Sequence, residues 1–472
     1  MSTVLVAYCV LNSAAQKVQY SRHTAVVNYP DAIQLVANVS GHHHLLSFFG
    51  KHHPVIYIYD QKLQLVSQIK IPYLLPPDCE IKIVPFPGYY YLYMHVQKTA
   101  RHELWKINDT GKVIPLTDLF LHLVQSQFKN KNSSFKISCI DNRLYVMCHT
   151  YFKEIGKIKT TIVQTDSMLS PVLTRNIIYN FTEGESLQRV TLTNSNDLLA
   201  LKTANRTEGN ILEVLKVNIH TGYTITKTFT SEGSIYSDPG IAYNVKDSGM
   251  LLYSRMRNPL GSTRNSRAVF MCRLNALLNE TQPIALLKGR LNYTGSNFIL
   301  AENQYPWISL FTFRRQSNFV SNRNRNSLTR NINNEDIFAD LNVLNGEHST
   351  IPYNYSYSTP GSIRFTRLDE RLKIIRDSVI VNNDPKRYID PNNFGRFIIK
   401  NKSYLLMLQR FGKRNGLMLV YTDDQNQVVT SDVRVLDKNE YILSQLQPVS
   451  DRYVILPYKN GREAGLLKIE IE

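Results

Sequence analysis

The sequence holds few tryptophans, few cysteines and no long apolar segment beyond its first residues. Two Trp and five Cys occur among 472 residues, and the cysteines show no CxxC pair or other metal-ligand spacing. No later run reaches the roughly 18 apolar residues that a helix needs to cross a bilayer. These absences argue against a structural zinc protein and against a helical membrane span, and they leave peripheral membrane contact as the most that we expect.

Negative charge is also scarce. Lys and Arg number 55 against 38 Asp and Glu, which gives a formal net charge of +17. Such a surplus favours association with nucleic acid, acidic polysaccharide, lipid head groups or an acidic protein. It does not choose among them, and a basic surface that serves only solubility is the plainer interpretation.

Strand-forming residues, by contrast, are abundant. Tyr occurs 28 times, and 43% of all residues are hydrophobic against 20% charged. Tyr, together with Val, Ile and Thr, favours strands, and this composition supports a folded core rather than disorder. We therefore predict an all-β chain.

The first fifteen residues resemble part of an export signal. An apolar run covers residues 4–11, and Ser13 and Ala15 satisfy the small-x-small rule, which predicts a mature start near Gln16. The basic residues that normally precede such a run are missing. Either the start codon is placed downstream of them or the run is a buried strand. We interpret residues 1–15 as a truncated signal peptide, which predicts export to the periplasm, cell surface or exterior.

Cysteine and histidine clusters give no firm site. Cys139 and Cys148 lie on consecutive predicted strands and could form a disulfide after export, with free buried thiols as the equal alternative. The runs His42–His44 and His52–His53 suggest a metal, but neighbouring strand residues point to opposite faces and no nearby carboxylate completes the set. We expect ordinary surface histidines, no metal and no cofactor.

One unit recurs along the chain, a strand followed by a basic turn and a second strand. Its eight copies span 44–60, 89–109, 143–166, 197–222, 249–275, 306–370, 404–424 and 452–472. Most copies follow another short strand, such as 32–40, and precede a fourth strand, such as 62–72 or 112–120. Four antiparallel strands repeated at this period describe the blade of a β-propeller.

On these repeats the chain resembles the β-propeller superfamily over nearly all of residues 17–472, and especially exported bacterial propellers of unassigned function. It lacks the GH…WD signature of WD40 repeats, the paired glycines of kelch repeats and the Trp content of quinoprotein blades. No functional residues carry over from these subfamilies. We expect one propeller over residues 16–472, with eight four-stranded blades, seven being the alternative, and an Asn- and Arg-rich insertion at about 316–360.

The last copy ends after its third strand. Residues 17–29 precede the first inner strand and have no other predicted partner, so we expect them to supply the missing outer strand. This pairing would close the ring, because an open propeller leaves the edges of its first and last blades exposed.

In such a ring, the hairpins between the second and third strands of all blades emerge on one face, which we call the tip face. Acidic residues in these hairpins are few, which predicts a basic surface for an anionic partner. The insertion adds arginines that could bind phosphate, sulfate or carboxylate with two hydrogen bonds, although a solvated loop is the plainer interpretation. The candidate binding residues are Lys51, Lys98, Arg101, Lys153, Lys157, Arg206, Arg255, Arg257, Arg264, Arg267, Arg314, Arg315, Arg323, Arg325, Arg410, Lys413, Arg414, Lys459 and Arg462.

Two enzymatic interpretations are weaker. A glycosidase needs paired carboxylates, but Asp109, Asp166 and Asp369 fall in predicted third-to-fourth strand turns, on the opposite face. A lyase acting on uronate-containing glycans would use Arg or Lys to neutralise the carboxylate and His or Tyr as acid and base. Its candidate residues are His95, His102, His149, Tyr151 and Tyr253.

The sequence as a whole favours a non-catalytic binding or scaffold module of the cell envelope or exterior. Its expected partner is an anionic polysaccharide or an acidic protein, and the polysaccharide lyase is the alternative. Nucleic acid is less favoured because we expect export.

Overall fold

The computed structural model describes most of the chain outside its first residues and its longest loops. The described residues are 16–21, 25–26, 33–48, 53–72, 79–96, 101–125, 133–140, 142–152, 156–166, 169–180, 185–193, 195–206, 209–231, 233–243, 249–257, 266–281, 284–288, 293–299, 307–313, 360–369, 371–381, 387–400, 402–411, 414–422 and 427–471. The predicted signal peptide and almost all of the insertion lie outside them. Both therefore stay predictions.

The described strands form eight antiparallel sheets, of which seven are built from strands that follow one another along the chain and the eighth joins the first two strands to the last four. Blade 1 contains β3 (Ile33–Val39), β4 (His42–Ser47), β5 (Val55–Tyr59) and β6 (Leu65–Lys70). Blade 2 contains β7 (Cys79–Phe86), β8 (Tyr89–Val96), β9 (Arg101–Asn108) and β10 (Val113–Pro115). Blade 3 contains β11 (Ser133–Ile140), β12 (Arg143–Phe152), β13 (Lys157–Thr165) and β14 (Pro171–Asn180). Blade 4 contains β15 (Glu185–Leu192), β16 (Asp197–Arg206), β17 (Gly209–Asn218) and β18 (Thr224–Ser231).

The second half of the chain repeats this arrangement. Blade 5 contains β19 (Ile235–Tyr243), β20 (Met250–Arg257), β21 (Ser266–Leu274) and β22 (Ala285–Lys288). Blade 6 contains β23 (Tyr293–Ile299), β24 (Trp307–Phe313), β25 (Pro360–Leu368) and β26 (Ile374–Val381). Blade 7 contains β27 (Arg387–Ile399), β28 (Lys402–Phe411), β29 (Arg414–Thr422) and β30 (Val428–Asp437). Blade 8 contains β31 (Glu440–Tyr441), β32 (Gln447–Ser450), β33 (Tyr453–Asn460) and β34 (Glu463–Glu470), and it is completed by β1 (Val18–Tyr20) and β2 (Ala25–Val26).

Apolar clusters join neighbouring blades face to face. Separate clusters fill the spaces between blades 1 and 2, 2 and 3, 3 and 4, 4 and 5, and 7 and 8. Ile455 and Leu466 of blade 8 pack against Ile33 and Leu45 of blade 1, so the series returns to its start. The fourth strands face solvent, as the alternation of half-buried and exposed residues in β6 shows. The predicted single β-propeller is confirmed, with eight blades among the described residues.

The ring is closed by the N-terminal segment, as the sequence predicts. Val18 on β1 pairs with Ile469 on β34, and the short β2 continues along the same strand. Between the two, the Ser21 amide donates to the Leu466 carbonyl at 2.9 Å, and the Leu466 amide donates to Ser21 Oγ at 3.2 Å. The closing strand therefore forms main-chain hydrogen bonds like those of any other outer strand.

A part-buried network of hydroxyls and a carboxylate connects the closing strand to blade 7. The hydroxyls of Tyr20 and Tyr441 both donate to Asp437 Oδ2, each at 2.6 Å. The Asn439 side-chain amide donates to the same oxygen at 2.9 Å. Since Asp437 ends β30, these bonds connect the first strand of the chain to the blade before the closing one.

The inner edge of the ring is joined by two glutamine side chains of blade 8. Gln445 accepts a hydrogen bond from the Leu35 amide at 2.8 Å and donates to the Ile33 carbonyl at 2.7 Å. Gln447 accepts from the Ala37 amide at 2.9 Å and donates to the Leu35 carbonyl at 2.8 Å. The two side-chain amides thus act as a partner strand for β3 of blade 1. We call this arrangement the glutamine clasp.

The turns between third and fourth strands share one design. In most blades an Asp or Asn side chain accepts the amide of the residue four positions later, as Asp60 does from Gln64 and Asp369 does from Lys373. The residue three positions after this Asp or Asn has a left-handed backbone conformation, and in several blades it is a buried leucine. Leu63, for example, has φ 57° and is fully buried. The aspartates of these turns therefore serve turn geometry, as their placement in the sequence suggests.

The structure corrects two expectations from the sequence and answers the open question of the disulfide. Residues 112–120 do not form one strand, because β10 stops at Pro115 and a helix, α1 (Thr117–Gln125), follows. The helix buries Phe120 and Leu123 between blades 2 and 3. In the blade 7 hairpin, the Asn415–Gly416 pair is typical of a hairpin turn, but Asn415 pairs with Arg410 and Gly416 with Gln409, so both residues lie in β29. Cys139 and Cys148 do not form a disulfide, and in the ladder they lie opposite Leu144 and Phe135.

Candidate functional site

The tip face brings together the second-to-third strand hairpins of all eight blades. Because every blade has the same strand order, the loops β4–β5, β8–β9, β12–β13, β16–β17, β20–β21, β24–β25, β28–β29 and β33–β34 all leave their sheets at the same end. The other end carries the first-to-second and third-to-fourth turns, and we call it the turn face.

The described hairpin tips expose cations. Lys157, Arg410, Arg414 and Arg462 are exposed at or beside their hairpins. The described carboxylates of these hairpins are Glu103, which is half-buried, and Glu463, which is exposed. The turn face mixes signs among its exposed residues, since Asp166 and Asp451 accompany lysines and arginines there.

The remaining predicted binding residues fall into several groups. Arg255 is half-buried within β20, and Lys459 is buried in β33, so Lys459 differs from the exposed tip cation that the sequence suggests. Four arginines lie in strands, at or next to the hairpin ends: Arg101, Arg206, Arg257 and Arg267. The residues outside the described part of the chain are Lys51, Lys98, Lys153, Arg264, Arg314, Arg315, Arg323, Arg325 and Lys413.

The lyase candidates are spread over three blades. His95 and His102 stack in the blade 2 hairpin with ring centroids 4.5 Å apart, and Tyr93 Oη lies 2.7 Å from His102 Nδ1. Burial, with the neighbouring His95, lowers the pKa of His102 to about 4. This imidazole is therefore neutral at pH 7. It is held by a core tyrosine rather than presented to a substrate.

In blade 3, His149 is buried between strands. Its Nδ1 lies 2.7 Å from Thr160 Oγ1, and burial together with Lys136 lowers its pKa to about 3. Tyr151 follows two residues later on β12. The structure thus places His149 in the core and does not bring it together with the blade 2 histidines.

Tyr253 stands apart from the other lyase candidates. It lies on β20, the second strand of blade 5, opposite Gly240 on the inner strand β19. A Cβ added at Gly240 would overlap the hydroxyl end of the Tyr253 ring. The missing side chain therefore lets the tyrosine extend across the inner strand towards the centre of the ring.

Two arginines of the inner strands belong to the same region. Arg189 on β15 is buried, and Arg396 on β27 is half-buried. The pKa of Arg396 is lowered, chiefly by burial, while Tyr253 acts to raise it and Arg189 to lower it. The charges of Arg189 in blade 4 and Tyr253 in blade 5 thus affect the guanidinium of Arg396 in blade 7.

The sequence reasoning missed these two arginines because it considered charge only in the hairpins. A signal was present in the first strands. The segments 187–194 and 395–399 each contain one arginine among otherwise uncharged residues. In a propeller such a strand borders the central channel, so a charged residue within it is a candidate functional residue, as a charged residue at a hairpin tip is.

The histidine run of blade 1 is not surface. His43 and His44 are fully buried, and burial lowers the pKa of each to about 4. His43 Nδ1 accepts from the Asn38 amide at 3.1 Å, and His44 Nε2 lies 3.0 Å from the Asp109 carbonyl. The expectation of ordinary surface histidines is wrong for these two. The described residues contain no group of three or more His, Cys, Asp or Glu placed to hold a metal ion.

Comparisons with known proteins find matches among solved structures alone. No family model matches the chain, and no curated protein matches it. Matching solved structures include the WD40 domain of SCAP from fission yeast, at 8% identity and TM-score 0.43, covering 96% of this chain and 98% of that one. The β-propeller domain of the Trilobed protease from Pyrococcus furiosus matches at 10% identity and TM-score 0.39, covering 90% and 98%. Dihydro-heme d1 dehydrogenase NirN matches at 10% identity and TM-score 0.41, covering 89% and 67%.

These likenesses concern the fold alone. In the part of the chain that the structure describes, no helix has both the length and the apolar character needed to cross a membrane.

Proposed function

Because the chain is a β-propeller whose hairpins share one face, we propose that it is a non-catalytic binding or scaffold module for an anionic glycan or an acidic protein. The observation that carries the proposal is the charge of the described tips, where Lys157, Arg410, Arg414 and Arg462 are exposed. Charges on separate blades act together on a long anionic partner, since such a partner can reach several tips at once. Electrostatic attraction of this kind also speeds encounter.

Binding to the tip face should weaken with salt. The Debye length shortens from about 10 Å at 0.1 M to about 3 Å at 1 M, so exposed cations lose their attraction for a partner. We would measure retention of the purified protein on a panel of immobilised acidic polysaccharides at two salt concentrations. Salt-sensitive retention supports an anionic glycan as the partner. If no polysaccharide of the panel retains the protein, acidic proteins become the partners to test.

A matched pair of variants tests which face binds. Arg410→Ser, Arg414→Ser and Arg462→Ser together remove three tip cations, whereas Lys112→Ser, Arg371→Ser and Lys373→Ser remove three exposed cations of the turn face. Both triple variants lose the same net charge. We expect the tip variant to be retained several-fold more weakly and the turn variant to behave almost like the parent protein. Equal losses would mean that net charge alone causes retention, and the face assignment would fall.

The lyase remains the alternative, with one observation in its favour. The Tyr253 ring lies over Gly240 of the inner strand, and Tyr253 acts electrostatically on Arg396, which supports pairing of the tyrosine and guanidinium that a uronate lyase uses. Absorbance of unsaturated uronate products during incubation with the same panel separates the two functions. Rising absorbance that Tyr253→Phe abolishes would identify a lyase.

We also propose export to the periplasm, cell surface or exterior. The apolar run 4–11 followed by Ser13 and Ala15 supports it. N-terminal sequencing of the protein recovered from the cell envelope or medium should find a start near Gln16. A protein found only inside the cell with residues 1–15 intact would contradict this proposal.

A further inference from the structure

The outer strand of blade 3 presents a long sheet edge. β14 covers ten residues, Pro171–Asn180, and among the described strands it pairs with β13 alone. Every second residue from 172 to 180 is exposed, and none of these five is charged. Val172 and Ile178 are 63% and 60% exposed. The main-chain groups along such an edge can form hydrogen bonds with a further strand.

The single charged residue of β14 is held by the neighbouring blade. Arg175 Nε donates to the Ile219 carbonyl at 2.8 Å, and its terminal nitrogen donates to the His220 carbonyl. A Cβ added at Gly222 would lie 3.3 Å from the guanidinium. The third-to-fourth strand turn of blade 4 therefore binds this charge, which projects from the face of the strand opposite to Val172 and Ile178.

The other described outer strands are short, charged or polar at their exposed positions. β1, β10 and β22 have four residues or fewer. β6 exposes Lys70, and β26 and β30 contain both acidic and basic residues. β18 exposes four threonines and no apolar side chain. Short length and charge are common means of preventing association through sheet edges. β14 differs because it is long, uncharged on its exposed face and apolar near both ends.

The exposed face of β14 is complementary to itself. In an antiparallel pair of two copies with Arg175 opposite Arg175, Val172 of one copy lies opposite Ile178 of the other. Thr174 then lies opposite Asn176. Apolar pairs and hydrogen-bonding pairs at opposed positions both stabilise a sheet. A two-fold axis repeats each pair, because such an interface uses the same surface of both copies.

We propose that the chain forms a two-fold homodimer in which β14 pairs with β14 of a second copy. The pairing joins the two third blades into one eight-stranded sheet. β14 runs from the turn face to the tip face, so the two tip faces of the dimer point in opposite directions. One strand pair buries less than the roughly 1,600 Å² of a standard interface, so the dimer should dissociate on dilution. The inference does not rest on the function proposed above.

The mass of the full chain in solution tests the dimer. Light scattering over a wide range of protein concentration should show a rise from the mass of one chain to the mass of two. The dimer should persist at about 1 M salt, where a Debye length of about 3 Å suppresses association through exposed charges. The mass of one chain at every concentration, or a dimer that 1 M salt abolishes, would overturn the proposal.

Lysine variants test whether β14 is the interface. Val172→Lys combined with Ile178→Lys places like charges opposite one another in the pair, which destabilises it. This variant should raise the dissociation constant at least tenfold. Val66→Lys is the matched control, since Val66 is 58% exposed on β6, the outer strand of blade 1. The control should dimerise like the parent protein. Equal weakening by both changes would show that the copies associate elsewhere.

Cysteine cross-linking tests the register. Val172→Cys combined with Ile178→Cys places opposed thiols in the pair and should give a covalent dimer with oxidised glutathione. Val172→Cys alone should not, because the two copies of residue 172 would lie six positions apart along the pair, about 20 Å. The single variant also controls for the native thiols, of which Cys139 is the half-buried one. Equal cross-linking of the two variants, or none in either, would refute this pairing.

Discussion

The glutamine clasp should carry a measurable share of the stability of the ring. Gln445 and Gln447 make four hydrogen bonds to the main chain of β3, with donor–acceptor distances from 2.7 to 2.9 Å. Replacing either residue by alanine removes two of these bonds. It also leaves an amide and a carbonyl of blade 1 without their partner at a part-buried edge.

The magnitude follows from the cost of orphaned main-chain groups. Each lost bond costs about 1 kcal/mol, and an unsatisfied buried partner adds to that cost. We therefore expect about 2–3 kcal/mol for Gln445→Ala and about 4–6 kcal/mol for the double variant. Unfolding entropy near 2.1 cal/mol/K per residue gives about 1 kcal/mol/K for a chain of 472 residues. The double variant should thus melt only about 4–6 °C lower.

Hydrogen exchange gives a sharper readout than melting. The amides of Leu35 and Ala37 donate to the two glutamine side chains, so a peptide that covers β3 should exchange faster in the double variant. Gln68→Ala, on the exposed outer strand of the same blade, is the matched control and should leave that peptide unchanged. Unchanged exchange in the Gln445→Ala and Gln447→Ala protein would show that the clasp does not hold the inner edge.

Three further predictions concern the core and the closing strand. Burial lowers the pKa of His44 to about 4, so this histidine stays neutral in the folded protein. In the unfolded chain it takes up a proton near pH 6.5. The free energy of unfolding should therefore be full above pH 6.5 and fall by about 2 kcal/mol per such histidine by pH 5. In His44→Gln, urea unfolding at pH 7.5 and pH 5 should differ less than in the parent, and an equal difference would contradict this assignment. Tyr20→Phe removes a hydroxyl bond to a carboxylate and should cost about 1.5–3 kcal/mol in calorimetry, whereas an unchanged melting temperature would show that the bond contributes nothing. Leu63→Gly removes about 1 kcal/mol of backbone strain at a left-handed position but loses about 2–3 kcal/mol of stabilisation from the buried side chain. The variant should therefore unfold at lower urea concentration. A more stable protein would show that the strain exceeds the packing energy.

Much of the architecture could be predicted from the sequence because blades repeat. Strand-rich units at a regular spacing, each with a turn in its middle, imply four-stranded blades, and the incomplete last unit implies a closing strand elsewhere. The turn aspartates, including Asp166 and Asp369, were also placed correctly by turn chemistry. Local patterns suffice for these features because neighbouring strands in each blade are also neighbours along the chain.

The centre of the ring could not be predicted in the same way. Whether Arg189 interacts with Arg396 depends on blades that are far apart in sequence, and no local pattern reports that distance. The Tyr253 position depends on a glycine of the adjacent strand, which reads in sequence as an ordinary turn or bulge residue. Helix α1 was missed for a different reason. Leu116, just before the helix, and Phe120 and Leu123 within it have helical spacing, but the expectation of a fourth strand outweighed this pattern.

The pairing of β1 with β34 also sets the order of events during synthesis. Ser21 and Leu466 are 445 residues apart, and a ribosome adds about 5–20 residues per second. The first strand therefore waits for roughly 20–90 s before its partner exists. During that time, blade 1 lacks both the glutamine side chains of blade 8 and the packing of Ile455 and Leu466. A nascent chain of this protein thus carries an unpaired strand and an exposed apolar sheet face until its last blade is made, and both features favour association with other chains during that interval.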